Sequence, residues 1–124
     1  MKKYFLSFAL ALTTILSYGQ DISDVEQRSS GTIITLKSNG SEISRMSLSS
    51  GESLSGFSNY IVVVTRSSGT VICYDQNFRE ISRMSLSSGE FVKNVSGNNI
   101  IVKRPSGTVI TYDKNFREIS RRSE

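Results

Sequence analysis

The sequence predicts an all-β fold built from tandem four-stranded antiparallel units, and three observations carry that prediction. The first is an internal repeat. Thr70–Arg83, which contains Val-Ile-Cys-Tyr-Asp, returns at Thr108–Arg121 and in altered form at Thr32–Arg45. Gly31, Gly69 and Gly107 stand 38 residues apart, and so do Glu42, Glu80 and Glu118, with no gap needed to keep the register. A fixed step of about 20–50 residues marks an array of like units that bury their faces on one another. The second is the shape of the apolar runs. Ile61–Val64, Ile100–Val102, Val71–Tyr74 and Val109–Tyr112 show no apolar/polar alternation. A strand without alternation has both faces covered. The third is composition: Ser, Thr, Val and Ile dominate beyond the first twenty residues, no helical period appears there, and such residues suit pleated strands.

Taken in order, the chain begins with a secretory signal. Lys2 and Lys3 form a charged start, Tyr4–Leu16 an apolar stretch, and Ser17 and Gly19 the small residues of a cleavage site. The apolar stretch is short for a membrane span. Cleavage after Gly19 is expected, with a secreted or periplasmic product. The remainder, 20–124, is enough for one domain, divided into units at about 20–51, 52–89 and 90–124. In the last unit the strands are expected at Glu90–Val95, Asn99–Arg104, Thr108–Asp113 and Arg117–Arg121, joined by turns at Ser96–Asn98, Pro105–Gly107 and Lys114–Phe116. The first unit has Asn39-Gly40 at its last turn, a strong hairpin signal. Phe78 and Phe116 replace that glycine in the other copies. A bulky residue avoids positive φ, so a longer loop is expected there. The fourth strand mixes Ile81 and Met84 with Glu80, Ser82, Arg83 and Ser85, as a half-exposed edge does.

Sandwiched middle strands beside a peripheral last strand fit small sheets stacked face to face. A β-trefoil or another three-fold barrel is the alternative, and it predicts cleaner alternation. Val-Ile-Thr-Tyr-Asp-x-Asn-x-x-x-Ile-Ser at 109–120, altered at 71–82, resembles the strand–turn–strand segment of β-propeller repeats. The resemblance implies a propeller-like stack. It implies no single activity, because that fold hosts enzymes, lectins and scaffolds alike. Propellers have about four or more blades, whereas this chain holds about three units, the first incomplete. The ends bear on this. The acids of Asp21–Glu26 fall where core residues of Tyr60–Val64 recur, and Arg122 takes the slot of Met46 and Met84. Either polar ends cap an open stack, or several chains close a ring with their ends meeting. A core this small favours association.

Chemistry is sparse. The net charge is +4, falling to +2 without Lys2 and Lys3. Nucleic-acid binding needs a stronger basic footprint, and no nucleic-acid partner is expected. There is no His, which removes the commonest general base and, with one cysteine, the usual zinc sets. Cys73 shares its slot with Thr35 and Thr111 and reads as a small buried side chain, with an intermolecular disulfide as the alternative. Asp75-x-Asn77-x-x-Glu80 and its copy at Asp113, Asn115 and Glu118 supply hard oxygens but lack the rest of a calcium loop; turn closure explains them. No metal, cofactor or catalytic residue is expected. Two arginine columns stand out: Arg28, Arg66 and Arg104, and Arg45, Arg83 and Arg121. Aligned guanidinium groups can grip carboxylate or phosphate, or they can pair with neighbouring Glu. The function expected is a secreted, non-enzymatic interaction or structural module whose partner is itself or another protein. The alternative is lectin-like binding of a glycan or other anion through Arg45, Arg83, Arg121, Arg66 and Arg104.

Overall fold

The computed structural model describes residues 21–123, and the segment expected to be a secretory signal, 1–19, lies outside them. These residues form eleven strands in three antiparallel sheets and no helix. Sheet one holds β1 (Asp24–Gln27), β2 (Thr32–Leu36) and β3 (Glu42–Ser47). Sheet two holds β4 (Glu52–Phe57), β5 (Val62–Arg66), β6 (Thr70–Tyr74) and β7 (Glu80–Ser85). Sheet three holds β8 (Phe91–Ser96), β9 (Asn99–Lys103), β10 (Thr108–Asp113) and β11 (Glu118–Ser123). Each sheet follows chain order, and each is one repeat unit. The 38-residue step is therefore the length of one sheet plus its link to the next. The expected strands of the last unit agree with β8–β11 to within two residues.

The sheets stack face to face. Ile22 and Ile33 of the first unit pack with Val62 and Val64 of β5, joined by Ile43, Met46, Leu54 and Tyr74. On the other face of sheet two, Ile61, Val63, Val71 and Cys73 pack with Val95, Ile100 and Val102 of sheet three. Consecutive side chains of β5 thus enter two different cores, because successive strand residues point to opposite faces. Val62, Val63 and Val64 are all fully buried. That is the physical meaning of a run without alternation, and it sets aside the barrel alternatives. Each sheet has an upstream face toward the preceding unit and a downstream face toward the next. The first unit lacks a counterpart of β4 among the described residues. Its entry is pinned instead by Ile22 N–H donating to the Asn59 carbonyl at 2.7 Å and Ser23 N–H donating to the Leu36 carbonyl at 2.8 Å.

The last turn of each unit corrects one expectation. No longer loop appears. Phe78 and Phe116 adopt φ of 61° and 59°, the conformation Gly40 takes at 84°. The hydrogen bonds are the same in all three: Gly40, Phe78 and Phe116 donate to the carbonyls of Lys37, Asp75 and Asp113. Two compensations hold a phenylalanine there. Asp75 accepts from the N–H groups of Asn77 and Arg79, both at 2.9 Å, fixing the turn. The Phe78 ring meets Tyr74 edge-on at 6.2 Å and joins the core between sheets one and two. Tyr112 and Phe116 repeat the contact at 6.2 Å. Side-chain packing outweighs a backbone cost of about 1–3 kcal/mol.

Sheets two and three approach most closely where β4 meets β8. A Cβ placed on Gly56 would lie 2.9 Å from Val95 Cγ2, and valine cannot swing clear because it is stiff at χ1. Gly56→Ala is expected to destabilise the fold by about 1–3 kcal/mol, read from chemical denaturation. Gly40→Ala adds no such contact, since nothing lies within 4 Å of its added Cβ, and it reports the cost of positive φ alone.

Candidate functional site

The arginine columns are the charged feature the sequence singles out, and the fold explains their geometry. In a regular strand, residues three apart point to opposite faces. The last two strands of each unit shift register, between Thr35 and Leu36, Cys73 and Tyr74, and Thr111 and Tyr112. The extra residue of the bulge returns positions three apart to one face. Glu42 and Arg45, Glu80 and Arg83, and Glu118 and Arg121 therefore meet as two-point pairs. Their Nε–Oε2 distances are 2.9, 2.8 and 2.7 Å, and their Nη2–Oε1 distances are 2.5, 2.6 and 2.6 Å. The hydrogen bond from its arginine, ahead of any other influence, holds each of these carboxyls below its ordinary range.

The second column is tied differently. Glu52 and Arg66 are register partners on β4 and β5, with Arg66 Nε 3.0 Å from Glu52 Oε2. Arg104 and Glu90, one residue past β9 and one before β8, make the same contact at 2.8 Å. Glu52 also accepts from Ser49 N–H at 2.7 Å, and Glu90 from Ser87 N–H at 2.7 Å. Each of these glutamates thus staples the link between two sheets. The Ser49 hydrogen bond, followed by the one from Arg66, lowers the Glu52 carboxyl against the opposing effect of burial. With no counterpart of β4 among the described residues, Arg28, one residue past β1, turns to Glu26 at 2.9 Å.

The structure brings the two columns together, which the sequence treats as separate. Arg28, Arg66 and Arg104 each act electrostatically on Glu42, Glu80 and Glu118 respectively. Every unit therefore carries a balanced cluster of two arginines and two glutamates on its upstream face. Among the described residues, no group of three or more His, Cys, Asp or Glu gathers as metal ligands would. Asp75 and Asp113 spend their carboxylates on their own turns. One open dent of about 470 Å³ lies over Glu90, Arg104, Pro105 and the Ser87-Ser88 link. Cys73 is fully buried, and burial pushes its thiol up to about 12.

A further surface escapes any motif search: the downstream face of sheet three. Ile43 and Ile81 pack into the cores between sheets, but Ile119 in the same slot is 56% exposed. Phe91 is 52% exposed, and its register partner Lys103 shares its face. Val109 pairs with Lys103 and with Arg122, which places both cations on the same side. The signal in the sequence was Arg122 standing where the other units have Met.

Two outcomes follow. Because the folded Glu52 carboxyl lies below its unfolded value, its contribution is present above the ordinary carboxylate range and is lost as pH falls through the folded value. Glu52→Gln is expected to cost about 1–2 kcal/mol at neutral pH and to flatten the acid limb of melting temperature against pH. Cys73, neutral and enclosed, is expected to resist a thiol reagent at neutral pH in the native protein and to react once on unfolding.

No protein-family model matches the chain, and no curated protein does. Solved structures do. BamB from Moraxella catarrhalis aligns at TM-score 0.55 and 18% identity, over 81% of this chain and 32% of its own. A protein of unknown function from Bacteroides caccae aligns at TM-score 0.56 and 11% identity, over 78% and 38%. KlHsv2 with its loop 6CD replaced by a Gly-Ser linker aligns at TM-score 0.55 and 10% identity, over 88% and 37%. The chain spans about a third of the length of these structures. At such identities the likeness shows the fold alone: stacked antiparallel sheets of three, four and four described strands, as in a β-propeller.

Proposed function

We propose that the chain is an exported, non-enzymatic module that binds proteins by offering the ends of its sheet stack. The observation that carries this reading is the downstream face of sheet three. Its Ile119 keeps the apolar residue that Ile43 and Ile81 bury against the next sheet, yet it is exposed. Large exposed apolar groups rimmed by charge mark interaction surfaces. Binding rather than catalysis is supported by the absence of His from the chain and by the enclosed, protonated Cys73. Export rests on residues 1–19.

The competing reading uses Arg45, Arg83, Arg121, Arg66 and Arg104 to hold a glycan or other anion. An anion there would have to displace carboxylates that already hold each guanidinium. A photo-crosslinking residue at Phe91, with the chain produced in its exporting host, is expected to yield protein adducts, to itself or to another chain. A glycan array is expected to stay blank. Adducts confined to non-protein material, with an array signal that Arg83→Ala plus Arg121→Ala removes without lowering the melting temperature, would reverse the assignment.

A further inference from the structure

The joint between consecutive units is made twice in this molecule, and its parts can be followed into the open ends. At the first joint Met46, downstream on sheet one, shares a core with Val62 and Val64, upstream on sheet two. At the second, Met84 shares a core with Ile100 and Val102, upstream on sheet three. These are the same slots one 38-residue step apart. Advancing the methionine slot once more gives Arg122. Moving the upstream pair back one step gives Asp24 and Glu26, both exposed on β1. An apolar pair used at both internal joints has become a cation on one open face and two anions on the other.

The other parts of the joint are also in place. Ile43 and Ile81 fill the two cores, and Ile119 stands exposed in their slot. Ser44 and Ser82 donate across the joints to the carbonyls of Asn77 and Lys114, at 3.3 and 2.5 Å. Ser120 holds the same slot on β11. The upstream face of sheet one carries Asp24, Glu26 and Glu42, with Arg28 on Glu26 and Arg45 on Glu42. The downstream face of sheet three carries Lys103 and Arg122. Methionine slot and valine slots have thus changed together, in opposite sign.

We propose that the occupant of the open downstream face is a second copy of this chain, docked head to tail, with Arg122 set against Asp24 and Glu26 of that copy. This rests on the interaction reading and names its partner. A head-to-tail contact either closes a ring or grows without limit. The described sheets of two copies number six, within the about four to eight blades of closed propellers. Complementary charge at this joint alone distinguishes it from the two apolar joints within a chain and disfavours like faces meeting.

The test uses the chain produced with its leader in an exporting host, sized by light scattering at micromolar concentration. The native protein is expected to show the mass of two chains. D24K with E26K, and separately K103E with R122E, are expected to show the mass of one. An equimolar mixture of the two variants is expected to regain two, because each swapped face meets its complement in the other chain. Ile119→Asp, at an exposed position, is expected to give one chain with the fold retained. A native mass of one chain overturns the proposal, as does a mass that grows with concentration. So does a two-chain mass for D24K/E26K, or a mixture that stays at one chain. A one-chain mass beside crosslinks to other proteins would leave the interaction reading standing and remove only self-docking.

Discussion

The structure depends on a sheet that is covered on both sides. β5 contributes Val62 and Val64 to one core and Val63 to the other, so the two cores share a strand. A small domain has little interior, and sharing one strand between two cores raises the buried fraction without lengthening the chain. Among the described residues, the outer face of sheet one carries Asp24 and Glu26 and that of sheet three carries Lys103 and Arg122, where the internal faces carry valine, isoleucine and methionine.

Much of this was legible in the residues. Unbroken runs such as Ile61–Val64 declared coverage on both faces, and the ungapped step declared one sheet per unit. The turn at Phe78 was misread because local preference says a bulky side chain avoids positive φ. The structure shows that preference overridden by a ring contact with Tyr74 and by the Asp75 carboxylate, neither of which is visible from the turn itself. Pairing of the arginines with neighbouring glutamates was expected across strands, but the pairing of Glu80 with Arg83 along one strand was hidden. A period of two separates them onto opposite faces, and only the bulge at Cys73 and Tyr74 brings them back. The exposed Ile119 carries the same letter as Ile81; its surroundings, not its identity, set it apart.

The arginine columns show how repetition complicates the search for function. A residue type recurring at every step attracts notice as a row of ligands. Here each arginine of the columns is tied to a glutamate, Arg45, Arg83 and Arg121 by two contacts and Arg28, Arg66 and Arg104 by one, and two of the glutamates also hold the links between sheets. Recurrence then reflects a device needed once per unit to close its own edge. The position where the pattern breaks, Met to Arg at 122, carries more information about the molecule's outer dealings than the positions where it holds.

The segments Glu42–Glu52 and Glu80–Glu90 are letter-for-letter the same, and each crosses from one sheet to the next. Two crossings of identical chemistry offer a growing polypeptide no local cue to tell which sheet it has just left. A short covalent reach then lets a newly made sheet meet its immediate predecessor before any other.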